Sequence, residues 1–230
     1  MVDFLKFLIE YIIHIDKNLA TLVCEYQMWI YLILFIVIFC ETGLVVTPFL
    51  PGDSLLFAAG SIAAIGAHCI KGGEIGINVG VLILIFLCAA ILGDNTNYFV
   101  GRFLGNKVYE KNYKLIRRDY LDKTHKFYEK HGGKTLIIAR FMPIFRTFAP
   151  FVAGIGTMKY IKFISFCLVG NFLWVFTFCL AGYYLGNIPI VKNNFSLVVL
   201  GIIVVSLIPP VLTFFRHWLE SKKDIKKSKL

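Results

Sequence analysis

From Met28 to Phe215 the chain is a succession of apolar runs, and two of those runs are broken by prolines and carry charges. Hydrophobic residues make up 58% of the 230, and charged residues only 17%, against roughly 25% in soluble domains. A soluble domain of this size has too little interior to hide 22 Phe beside so many Leu, Ile and Val. In a bilayer the outward faces can be apolar, because lipid replaces water around them. A helix also satisfies its own backbone polar groups there. The expected fold is therefore an all-α integral membrane protein, with one polytopic membrane domain over residues 28–215.

The runs differ in what they can do. Residues 76–99 and 160–186 are long and apolar enough to cross, since a span needs about 20 residues. Residues 195–215 form a third candidate span, ended or kinked by Pro209 and Pro210. Met28–Cys40 is too short alone and reaches span length only if it continues through Glu41 to Val46. The first 27 residues are too polar for a signal core. Their Phe4, Leu5, Phe7, Leu8, Ile12 and Ile15 predict a short helix lying on the membrane surface.

Charge orients these pieces. Most of the net +10 sits in two places, so a continuous nucleic-acid-binding face is not expected. Loop 102–134 holds ten Lys or Arg against four Asp or Glu, and the tail 216–230 holds six against two. The positive-inside rule puts both in the cytoplasm. Two spans after the loop already return the chain to its own side. Residues 135–158 must then enter and leave on the cytoplasmic face, as a re-entrant hairpin. Residues 41–70 form the opposed hairpin if 28–46 crosses. Pro48–Gly60 reads PFLPGDSLLFAAG, and Pro143–Gly154 reads PIFRTFAPFVAG. Two broken elements entering from opposite faces would make an inverted repeat, an arrangement in which transporters place substrate sites near the midplane.

Glu41 and Asp53 fall in the first hairpin, Arg140 and Arg146 in the second. Each charge near a bilayer centre costs about 2.5–3.5 kcal/mol on insertion scales. Such groups must pair with one another or face a wet cavity. The arginines offer a rigid fork of donors suited to a substrate phosphate. Desolvation favours the neutral form of a carboxylate, which makes Glu41 and Asp53 the candidate proton-coupling groups. Asp94, Asn97 and Arg102 form a secondary polar site, as a helix-end cap or as a lining of the same cavity. Asn171 is expected to bridge two helices, and Trp174 to pack, although it lies deep for an interfacial anchor. The alternative is a set of purely structural ion pairs.

Enzymatic and metal readings find little support. The chain has no HExxH, GxSxG, P-loop or CxxC pattern, so no catalytic residue, metal or cofactor is expected. The six cysteines are scattered and read as small buried hydrophobes.

Three segments together are specific: ETGLVVTPFLPGDSLLFAAG from Glu41, GDNTNYFVGRFLG from Gly93, and ARFMPIFRTFAPFVAG from Ala139. On these the chain resembles the DedA family of bacterial inner-membrane proteins, also described as SNARE-associated or VTT-domain proteins. The resemblance implies paired re-entrant hairpins with inverted symmetry, and membrane homeostasis dependent on the proton motive force. It implies proton-coupled flipping of a lipid-linked phosphate, undecaprenyl phosphate first among the candidates. The family's acidic pair falls on Glu41 and Asp53, and its arginine pair on Arg140 and Arg146. A phospholipid scramblase, a small-ion transporter and a non-transporting membrane-organisation protein remain the alternatives.

Overall fold

The computed structural model describes residues 26–44, 52–65, 67–69, 73–75, 77–111, 133–186, 188–194, 197–198 and 200–202. The expected N-terminal surface helix, the middle of the basic loop, nearly all of the span 195–215 and the tail 216–230 lie outside these residues.

The described part is helical apart from one short ladder. A 3-10 turn at Gln27–Trp29 leads into α1 (Ile30–Gly43), and α2 follows at Gly52–Ile65. Strands β1 (Ala67–Cys69) and β2 (Gly73–Ile75) pair antiparallel with Ala67 opposite Ile75. They stand where Gly66, Gly72, Gly73 and Gly76 make helix continuation unfavourable. Then come α3 (Val79–Lys111), α4 (Lys134–Arg140), α5 (Pro143–Ile155), α6 (Tyr160–Leu185) and α7 (Pro189–Asn193).

Two of these helices are long and apolar enough to cross a membrane, over Val79–Gly105 and Tyr160–Leu185. The distribution of polarity is that of a membrane domain. Leu32, Ile36, Leu84, Phe99, Ile161 and Phe172 point outward, while Glu41, Asp94, Asn97, Arg140, Arg146 and Asn171 are buried. In water that inversion would cost both the exposed apolar area and the desolvated charge. In lipid the first cost disappears.

Two boundaries differ from the sequence expectation. The first apolar run does not continue helically to Val46. α1 stops at Gly43, and Leu44 turns to φ −107°, ψ 111°. At 14 residues it spans about 21 Å, less than the roughly 30 Å hydrocarbon core. Thr42 Oγ1 donates back to the Ile38 carbonyl at 2.7 Å, a competing bond at a helix end that precedes Pro48 and Pro51. The break thus falls between Gly43 and Gly52, in the middle of the apolar region rather than before it. Second, α3 runs through the expected loop start at Arg102 to Lys111, carrying the basic segment past the apolar length. Residues 135–158, expected as a broken element, are two helices separated at Phe141–Met142, with Pro143 at the first helical position of α5. Neither α4 nor α5 is long enough to cross.

Two close helix crossings hold the domain together. α2 packs on α6 where Gly182 lies against the Phe57 carbonyl and Gly60 lies against the backbone of Cys179 and Tyr183. α5 packs on α3 where Gly101 lies against the Phe151 carbonyl and Gly154 lies against the backbone of Tyr98 and Arg102. The spacings match: Phe57 and Gly60 are three apart, as are Phe151 and Gly154. A methyl group at any of the four would overlap a backbone carbonyl of the facing helix. Small residues at such crossings let membrane helices approach closely enough for dispersion to hold them. Gly182→Val is therefore expected to lower stability by more than the roughly 1–3 kcal/mol of an ordinary overpacked core. Thermal unfolding of the purified protein in detergent would reveal it as a drop in midpoint, whereas Gly201→Val, which meets nothing among the described residues, should leave the midpoint alone.

Candidate functional site

The helix breaks bring five charged side chains together, all at least nine-tenths buried. Glu41 lies in the last turn of α1 and Asp53 in the first turn of α2. The Gly52 N–H donates to Glu41 Oε1 at 2.8 Å, joining the two sides of the first break. A Cβ at residue 52 would occupy the space of that carboxylate, so glycine is required there. The negative end also suits its place, because the free N–H groups of α2 begin beside it.

Arg146, one turn into α5, takes both acids. Its Nη1 donates to Asp53 Oδ1 at 2.8 Å, and its Nη2 donates to Glu41 Oε1. Arg140, the last residue of α4, pairs elsewhere: its Nη1 donates to Asp94 Oδ1 at 2.6 Å. Asn171 Nδ2 on α6 donates to the other oxygen of Asp94 at 3.0 Å. The expected helix-bridging role of Asn171 is therefore realised, with a carboxylate as its acceptor.

Trp174 is the residue that the sequence undervalued. It is fully buried, its Nε1 donates to Asp53 Oδ1 at 2.8 Å, and the guanidinium carbons of both Arg140 and Arg146 lie 5.3 Å from its ring centroid. Each cation over a desolvated indole face is worth up to about 2 kcal/mol. The only signal in the sequence was depth: an indole so far inside a span needs a partner for its N–H.

Asn97 ties the two breaks to α3. Its Nδ2 donates to the Thr42 carbonyl at 2.6 Å and to the Thr147 carbonyl at 3.3 Å. Asp94 and Asn97 are thus part of the buried centre rather than a cap at its margin. Arg102 is not. It is exposed two turns further along α3, where Nη1 donates to the Tyr98 hydroxyl at 3.1 Å.

The pairing changes the charge balance expected from sequence. Two acids facing two arginines would be neutral, but Asp94 makes three carboxylates against two guanidinium groups. Polar atoms are also left over. Among the described residues, Glu41 Oε2, Arg140 Nε, Arg140 Nη2 and Asn171 Oδ1 are buried without a hydrogen-bond partner. Buried polar groups are nearly always satisfied in folded proteins, so four such atoms within one site stand out. No group of three or more His, Cys, Asp or Glu that could hold a metal occurs among the described residues.

Comparison with known proteins gives this centre a family. A family model described as the VTT domain matches residues 50–184, which include Asp53, Asp94, Arg140, Arg146, Asn171 and Trp174. The chain belongs to the VTT-domain family of DedA. The protein DedA of Escherichia coli is 54% identical over 216 residues, covering 94% of this chain and 95% of its own. An uncharacterized membrane protein of Mycobacterium tuberculosis is 41% identical over 182 residues, covering 79% of this chain and 77% of its own. The inner membrane protein YqjA of Escherichia coli is 35% identical over 162 residues, 70% of each chain. No solved structure matches this VTT-domain chain.

Proposed function

We propose that this VTT-domain protein is a carrier that moves a lipid-linked phosphate, undecaprenyl phosphate first among candidates, across the bacterial cytoplasmic membrane in exchange with or alongside protons. The observation that carries the proposal is the buried network at the two helix breaks, which holds Arg140 and Arg146 within 5.3 Å of one indole ring and leaves donor atoms of Arg140 unused. A purely structural ion pair gains nothing from a half-satisfied guanidinium. A site that accepts a phosphate must hold such a group in reserve.

Protons enter through charge. With Glu41, Asp53 and Asp94 all ionised the network carries one excess negative charge, and a phosphate would add more. Proton uptake at Glu41 or Asp53 removes that excess charge and loosens one of the two ion pairs that hold Arg146. The matched Gly crossings support an inverted repeat: α2 lies on α6 as α5 lies on α3, with the same three-residue spacing in each. On that reading residues 28–215 are one domain, α1–α2 and α4–α5 are opposed re-entrant pairs, and the basic loop 102–134 and tail 216–230 face the cytoplasm. The name of the relative YqjA supports the inner membrane.

A second reading has an observation of its own. Asp94 is closed around Arg140 and Asn171 as a structural pair would be, and a non-transporting membrane-organisation protein would need no more. Purified protein in vesicles of defined lipid decides among these. Wild type is expected to equilibrate undecaprenyl phosphate between leaflets and to leave phosphatidylglycerol unmoved. Equal movement of both would replace the carrier with a phospholipid scramblase, and movement of neither would leave the organising role.

A further inference from the structure

We infer that Arg140 and Asn171, framed by Asp94, form a two-sided seat for a singly protonated phosphate monoester, and that Arg146 is not the primary phosphate ligand. The inference rests on the carrier reading and deepens it by naming which arginine meets the headgroup and in which ionic form.

Start with the donors. The guanidinium of Arg140 is planar, and its Nε–H runs parallel to one N–H of Nη2 along a single edge. Asp94 takes Nη1, which lies off that edge. Both edge nitrogens are buried and have no partner among the described residues. An edge of two parallel donors fits two oxygens of one oxyanion. Arg146, by contrast, is engaged with Glu41 through Nη2 and with Asp53 through Nη1. An anion could claim it only after displacing two carboxylates.

The acceptor side sharpens the ligand. An ionised carboxylate only accepts hydrogen bonds, so Asn171 must turn its amide nitrogen to Asp94, as it does at 3.0 Å. Its Oδ1 is thereby fixed as an acceptor, and it is buried with no donor among the described residues. Arg140 and Asn171 bond the two oxygens of the same Asp94 carboxylate, which ties the guanidinium with the unpartnered edge and the amide with the unpartnered acceptor to one residue. A ligand that satisfies both must present two oxygens to Arg140 and an O–H to Asn171 from one centre. A phosphate monoester carrying one proton does so. A phosphodiester has lost that hydroxyl, and a fully ionised monoester or a carboxylate has no hydrogen to give. Asp94 is then a positioning residue, and part of the proton traffic rides on the headgroup itself.

Calorimetry on the full-length protein in an uncharged detergent can test this with octyl phosphate and its methyl ester, octyl methyl phosphate, which share a tail and differ by one hydroxyl. Wild type is expected to bind the monoester at least tenfold more tightly at pH 6. That preference should shrink as pH rises past the second phosphate ionisation, near about 6. Asn171→Leu should bind both esters alike, and Arg140→Lys should weaken both, since a point charge replaces the fork. Equal affinity for the two esters in wild type would overturn the seat, as would binding of neither, or a preference that survives in Asn171→Leu. The ester comparison in wild type needs no variant to fold. Lipid-phosphate transport without ester discrimination would remove the seat and keep the carrier. Discrimination without transport would do the reverse.

Discussion

Arg146→Ala is expected to stop transport and to cost about 3–5 kcal/mol of stability, because it strands two buried carboxylates that share one guanidinium. Domains of ordinary stability hold only about 5–15 kcal/mol in reserve, so the variant is expected to express poorly. The informative comparison is the triple variant Glu41→Gln, Asp53→Asn, Arg146→Gln. It removes these three charges together and keeps the shape of the two acids, so most of the lost stability should return. Transport should not. Thermal unfolding in detergent and lipid flux in vesicles measure the two outcomes separately. A triple variant as unstable as Arg146→Ala would show that its instability has another cause, such as lost packing against Trp174.

Asp94→Asn should have an effect of similar size for the opposite reason. Asp94 is the acid paired with Arg140, and its removal leaves a cation buried at 4% exposure over an indole. The expected cost is again about 3–5 kcal/mol. Arg140→Gln in the same chain should recover most of it by removing the stranded charge. Unfolding midpoints of the two single variants and the double variant form a cycle whose interaction energy is expected to be large and favourable. An additive cycle would mean that Asp94 and Arg140 do not sense one another. Such additivity would remove the frame on which the phosphate seat depends.

How far the sequence carried these conclusions varies by residue. Glu41, Asp53, Arg140 and Arg146 were legible because hydrocarbon makes each of them costly, and the cost is independent of fold. Their partners were not legible. Nothing in chain order says that Arg146 takes both acids of the first break while Arg140 turns to Asp94 on α3. α4 packs on α5 and α6, and Arg140 at its end reaches across to Asp94 on α3. Asp94 and Asn97 read equally as a cap or as a lining because they end an apolar run; α3 continues helically to Lys111 and keeps both inside. Pro143 stands at the break before α5, whereas Pro150, equally conspicuous in the sequence, lies inside that helix. The end of α1 at Gly43 came early because the Thr42 back-bond and Gly43 act before Pro48 does.

The central claim is that these buried charges move a lipid phosphate rather than merely hold helices together. Vesicles with an imposed pH gradient, loaded with undecaprenyl phosphate in one leaflet, test it most directly when wild type is set beside the refolded triple variant. Flux that follows the gradient in wild type and vanishes in the variant is the expected result. Flux through the triple variant, which keeps only Asp94 and Arg140 of the five charges, at the wild-type rate would contradict it.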